Sequence, residues 1–280
     1  MYIPDGLEDR WNSLAPENQR FLESGLQSSW EHYDGHVPEE SGLLYHSWEN
    51  HIVSYSIDAM LLGQMEGLSR QEMRILGHAA PFHDIDYLSG PTHYNGNERN
   101  CAWKARRVML EDMFSLEDSH IGAEAIIETY PGRKAESKLG KILAAADFLL
   151  LKERPSEFIR QNLYVLAEWS AFPNANMHKA TRTLADYFGA QEVFLGLRRF
   201  YVDSANEICE KWRKPNIQML ERLNKVFSGV DERTATLEQL EDTLIATVAE
   251  FDDKPLDRSA IHRTLEYWYS HRPRIKEINN

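Results

Sequence analysis

GHAAPFHDIDY, residues 77–87, is the stretch on which the fold turns. It closes an apolar stripe, Met73, Leu76, Ala80 and His83, whose three-to-four residue spacing predicts a helix. Ser69 with Glu72 three residues later reads as the start of that helix. The stripe ends at His83-Asp84, just after Pro81. Adjacent residues cannot share one helix face, but at a helix end both can turn toward one point. Imidazole nitrogen and carboxylate oxygen together suit Mn, Fe, Zn or Ni better than Ca. Taken alone the dipeptide is a weak signal.

Working outward, two further segments carry residues of the same kind. Downstream lies KILAAADFLLLK, residues 141–152, an apolar helical run with one acid, Asp147. A carboxylate there is costly unless paired or metal-bound. Gly140, Ala144, Asp147 and Leu151 share a stripe, so small residues beside the acid would let another helix come close. By itself Asp147 is equally well a buried acid that bonds an arginine or caps a neighbouring helix. Upstream lies YHSWENHIVSYSIDAML, residues 45–61, where His51 stands in the first turns of an amphipathic helix continued by Tyr55, Asp58 and Leu62. A lone histidine there is more often a satisfied core residue. His46 precedes it by five residues, before or at the helix start.

The three segments change the weighing when read together. His51 is followed after 32 residues by His83-Asp84, and Asp147 comes 63 residues after Asp84. Each lies on or at the end of an expected helix. This order resembles that of the HD-superfamily metal-dependent phosphohydrolases, whose signature is a first His on one helix, an adjacent His-Asp on the next and a later Asp in an apolar helix. YHSWENH is similar to the Tyr-His-Asn-Trp…His opening of many HD hydrolases, including cyclic-nucleotide phosphodiesterases. FHDIDY followed by NGNERNCA resembles the Phe-His-Asp-x-x-Tyr…Asn-Glu-x-x-Ser-Ala pattern of a bacterial subgroup of predicted phosphohydrolases. IIETY…ILAAADF and LRRFYVDSANEICEKWRKPNIQML resemble the later helices of that subgroup, so the likeness runs over roughly residues 41–225. There are departures. His46 and His51 stand one residue further apart than in the phosphodiesterase-like opening, and Cys101 replaces the Ser of the subgroup pattern.

The resemblance implies an all-α HD-domain helical bundle with a C-terminal helical extension. It implies one divalent transition metal (Mn, Fe, Ni, Co or Zn) held by His51, His83, Asp84 and Asp147. Two metals would need two more histidines before Asp147, and His120, expected at a helix start after Ser119, is a candidate for one of them. The implied reaction is hydrolysis of a phosphate ester or anhydride of a nucleotide or small phosphorylated metabolite. The metal would acidify a water and neutralise charge on phosphorus. Asp84 would orient that water, His46 would act as general acid, and Glu98 would hold a water or a ligating histidine. Glu98 reads equally well as a first-turn acid at a helix N-terminus. Tyr87 is a candidate for the substrate pocket or for packing. His78 reads as structural, and Lys104-Ala105-Arg106-Arg107 as solvated surface. Two other classes stay open: a di-iron oxygenase on the same fold, and a non-catalytic HD binding or regulatory module.

Bulk composition sets the frame. The 280 residues are 42% hydrophobic and 27% charged, enough for a sizeable core. Acidic residues outnumber basic ones 44 to 31, a formal charge of −13, which argues against gripping duplex nucleic acid. Two distant cysteines, Cys101 and Cys209, make neither a disulfide framework nor a cysteine-based zinc site. The polar start MYIPDGLEDRWNSL lacks the features of a signal peptide, and no apolar run is long enough for a membrane. A cytoplasmic protein is expected, with a small phosphorylated substrate as partner and a homo-oligomer left open. Roughly ten helices are expected, and no alternating strand. The expected organisation is an N-terminal helical segment over 1–40, a metal-binding core over 41–155 and a helical extension over 156–280.

Overall fold

Ser69 and Glu72 form the expected reciprocal cap and start α4 (Arg70–Ala79). The helix stops at Ala79 because Pro81 lacks an N–H and its ring opposes continuation. A 3-10 turn, Ala80–Phe82, carries the chain to His83 instead. The computed structural model describes residues 3–4, 6–33, 45–86, 96–130, 132–171, 182–196 and 200–271. Among the described residues there are twelve α-helices and no strand. Besides α4 these are α1 (Glu8–Asn12), α2 (Pro16–Trp30), α3 (Ser54–Met65), α5 (Gly96–Glu111), α6 (Leu116–Ile127) and α7 (Lys138–Ala146). Then follow α8 (Pro155–Ala171), α9 (Leu184–Gly196), α10 (Asp203–Phe227), α11 (Leu237–Val248) and α12 (Arg258–His271). None of the described helices is long and apolar enough to cross a membrane.

Three boundaries differ from the sequence reading. The first turn of the His51 segment is a π-helix, Trp48–Val53, and α3 begins only at Ser54. KILAAADFLLLK is not one helix: α7 ends at Ala146, Asp147 caps it, and Leu149–Lys152 forms a 3-10 turn. α6 starts at Leu116 with the Ser115 hydroxyl accepting the Asp118 N–H, so Ser119 lies inside the helix.

The chain divides into two compact units. The first comprises Met1–Gly42, His46–Leu149 and Phe200–Glu207. In it α2 packs on α4, α5 on α6, and α3 on α7. α2 and α4 meet backbone to backbone: a Cβ on Gly25 would stand 2.0 Å from the Gly77 carbonyl oxygen. Leu22, Leu26, Ile52, Ile57, Met60 and Phe82 are fully buried between these helices. Each such side chain contributes about 1.5–3 kcal/mol relative to exposure. Asp58, on the α3 stripe, is buried against Arg10, whose guanidinium donates to both of its oxygens at 2.9 Å. The space above Gly140 is taken by the Glu128 carboxylate rather than by another helix. Glu128 accepts the Glu136 and Ser137 N–H groups and so fixes the entry to α7.

The second unit comprises Leu43–Tyr45, Leu150–Arg199 and Ile208–Asn280. Here α12 packs on α8 and α11, around buried Phe158 and Trp268. Asp252 pairs with Arg154 and accepts the Ser156 N–H at 2.9 Å, satisfying an orphan donor at the start of α8. Buried Asn216 donates to the carbonyls of Leu151 and Glu153, a packing role.

Candidate metal centre

Three elements of the first unit deliver four ligand-type residues. The π-turn brings His51 and the end of α7 brings Asp147. His83 and Asp84 follow the 3-10 turn after α4. One donor atom from each of these four residues lies within 4.8 Å of the others. The tightest approach is between His51 Nε2 and His83 Nε2, 2.8 Å apart. Asp84 Oδ2 is 3.1 Å from His83 Nε2 and 3.5 Å from His51 Nε2. Asp147 Oδ1 is 3.8 and 3.9 Å from the same two nitrogens. Donors about 2 Å from one ion stand roughly 3–4 Å apart, which is the spacing of this group.

Local bonds aim the histidines. His83 Nδ1–H donates to the Ala80 carbonyl at 3.2 Å, which leaves a lone pair on Nε2. The Tyr55 ring stacks on His83 with centroids 3.4 Å apart, and its hydroxyl donates to the Leu143 carbonyl at 3.0 Å. Tyr55 therefore ties α3 to α7, the helix that ends at Asp147. On the π-turn the Ser47 carbonyl accepts both the His51 and Ile52 N–H groups, and the Ser47 hydroxyl accepts that of Asn50.

Burial and charge are matched to metal binding. The two histidine side chains are 4% and 1% exposed, against 13% and 21% for Asp84 and Asp147, so the group opens on its carboxylate side. Burial pushes the His51 imidazole down to about 3, with His83 and His46 adding to the effect and Asp84 opposing it. Burial alone would raise Asp84, but His83, His51 and His46 hold its carboxyl well below the usual range. A neutral His51 imidazole beside an ionised Asp84 carboxylate is the pair of forms in which such groups bind a transition metal. The two facing imidazole nitrogens, 2.8 Å apart, can share one proton as a hydrogen bond or turn both lone pairs to one cation.

The outlying residues separate clearly. His46 is buried, and its Nε2 stands 3.6 Å from Asp84 Oδ2, so it reaches the group. The Tyr33 hydroxyl donates to its carbonyl. Glu98, half-buried on the first turn of α5, has its carboxyl raised by burial and further by Asp84 and Asp147. His120 is exposed on α6 and stands outside the group. Tyr87 lies outside the described residues. His78 is buried, with Nδ1–H donating to the Arg74 carbonyl and its ring edge-on to Phe114, as a structural residue would be.

Two features were not legible in the sequence. Asn97 donates to Asp84 Oδ1 at 2.7 Å. Lys104 is not solvated surface: its Nζ lies 2.5 Å from Oδ1 of buried Asp86. Arg106 and Arg107 are exposed as expected. The signal available was the spacing of Asn97, Cys101 and Lys104 on one face of α5, but nothing in the chain indicated which loop that face meets. Comparison with family models, with curated proteins and with solved structures finds no match to this chain.

Proposed function

We propose that this chain is a metal-dependent phosphohydrolase on the HD-superfamily plan, hydrolysing a phosphate ester or anhydride of a nucleotide or small phosphorylated metabolite. One observation carries the reading. His51, His83, Asp84 and Asp147, singled out by their order in the sequence, have their donor atoms within 4.8 Å of one another. The motif likeness of residues 45–147 to HD phosphohydrolases supports the reaction class. We take the fold as the HD helical core with further helices C-terminal to it, and the site as one for a single Mn, Fe, Ni, Co or Zn ion.

What such an ion supplies when bound is a Lewis acid that acidifies water and neutralises charge on phosphorus. The protein groups do the rest. Asp84 and Asp147, on the open side, orient the attacking water and hold its proton through their carboxylate oxygens. His46 Nε2, 3.6 Å from Asp84 Oδ2, gives a proton to the leaving oxygen. The buried histidines close the rear of the site to bulk water.

The test is hydrolysis of p-nitrophenyl phosphate and a nucleoside monophosphate series after loading with Mn2+. Turnover is expected, and His46→Ala should lower kcat by about 10²–10⁴-fold with metal content unchanged. A metal-loaded protein that hydrolyses no phosphate ester or anhydride would overturn the proposal. Equal kcat in His46→Ala would remove His46 from the mechanism.

A further inference from the structure

We propose that Asn97 is a positioning residue that decides which oxygen of Asp84 is offered to the metal, and that α5 carries it in a three-residue clamp on the 83–86 turn. The inference rests on the metal-centre reading above. Asn97, Cys101 and Lys104 follow at intervals of four and three residues, one stripe of α5. Each takes hold of the turn at a different point.

Asn97 Nδ2 donates to Asp84 Oδ1 at 2.7 Å. It is the other oxygen, Oδ2, that faces His83 Nε2, His51 Nε2 and His46 Nε2 at 3.1, 3.5 and 3.6 Å. The two oxygens of one carboxylate are thus assigned different tasks. An ionised carboxylate only accepts, so the amide must turn its NH2 toward Asp84. Its oxygen then points along α5, where the Cys101 thiol donates to it at 3.4 Å. Cys101 is fully buried, with the backbone of Ile85 and Asp86 beside its sulfur. Lys104 closes the clamp on Asp86. The orientation of the amide is therefore fixed from both ends, and with it the rotation of the Asp84 carboxylate.

A clamp of this kind acts on the metal through Asp84 and not by contact. Loss of such a partner commonly weakens metal affinity by about 10–100-fold. The experiment is titration of the purified full-length chain with Co2+, followed by its visible absorption band and by calorimetry. Four chains are compared: wild type, Asn97→Ala, Asn97→Asp and Cys101→Ser. Asn97→Ala is expected to weaken Co2+ about 10–100-fold and to alter the band, with the metal-free melting temperature close to wild type. Asn97→Asp keeps the shape but replaces the donor by an acceptor, and should weaken Co2+ further. Cys101→Ser, whose shorter side chain sets its hydroxyl too far from the Asn97 amide oxygen to donate as the thiol does, should bind Co2+ more weakly than wild type and more tightly than Asn97→Ala.

Wild-type affinity and spectrum in both Asn97 variants would overturn the proposal and leave the metal centre standing. So would a loss of Co2+ that only follows a fall in melting temperature in both variants, since that marks a structural tether. A wild-type chain that takes up no Co2+ would overturn the metal-centre reading and this inference with it.

Discussion

His83 has little freedom: its Nδ1–H is spent on Ala80, Tyr55 lies flat against its ring, and its Nε2 meets His51 at 2.8 Å. The four candidate ligand residues were legible because polar side chains in apolar helical runs are costly and need a reason, and because of the order in which the four occur. Asn97 and Lys104 were not, because their partners lie 13 and 18 residues back, beyond the reach of any local pairing rule. Burial of His51 has a consequence for pH. Its imidazole stays neutral down to about 3 when folded, against 6.5 ordinarily. Above pH 6.5 neither state binds the proton, and the stabilisation is fully present. As pH falls below 6.5 the unfolded chain takes up a proton that the folded chain refuses, so stability is lost progressively toward pH 3. Asp84, whose carboxyl is depressed, adds a loss in the same direction once the unfolded carboxyl protonates below about 4. Glu98, shifted upward, opposes this in part. The metal-free protein should be about 2 kcal/mol less stable at pH 5 than at pH 7.5 from His51 alone. Urea midpoints at the two pH values measure this, and equal midpoints would remove the buried neutral histidine from the account.

At the scale of the element, the π-turn Trp48–Val53 is the least expected piece of structure. Apolar spacing in WENHIVSYSIDAML reads as one amphipathic helix, and it does become helix, but the first turn is wound one residue wider. The Ile52 N–H reaches the Ser47 carbonyl, five residues back. Isolated π-turns recur at functional sites because they shift one residue without ending the helix. Here the wider turn stands between His46 and His51, whose rings meet edge to face at 4.9 Å. Deleting exposed Glu49 should convert it to an α-turn and move His51 off the group. Metal affinity is then expected to fall by about tenfold or more, while Glu49→Ala binds as wild type. Calorimetric titration of both variants is the check, and wild-type affinity in the deletion would show that the π-turn plays no part. The other misread boundaries have local causes too. The Ser115 hydroxyl caps α6 four residues before Ser119, and Asp147 caps α7 instead of lying within it.

For the whole molecule, helical periodicity was sufficient to establish an all-α chain, and the described residues hold twelve α-helices and no strand. Periodicity says which face of a helix is buried but not which helix covers it, so the pairing of α2 with α4 through Gly25 and Gly77 became visible only in the structure. All four candidate ligand residues, with His46, Glu98 and Asn97, belong to the first compact unit. The group is therefore assembled by one unit from segments spread over about a hundred residues, and the cost of gathering two carboxylates and two imidazoles would be offset by a bound cation. That is the central claim, and metal analysis of the purified protein tests it most directly, beside a His83→Ala, Asp84→Ala double variant that stays folded. The account predicts about one equivalent of transition metal per chain, lost in the double variant. No bound metal, even after loading with Mn or Fe, would contradict it.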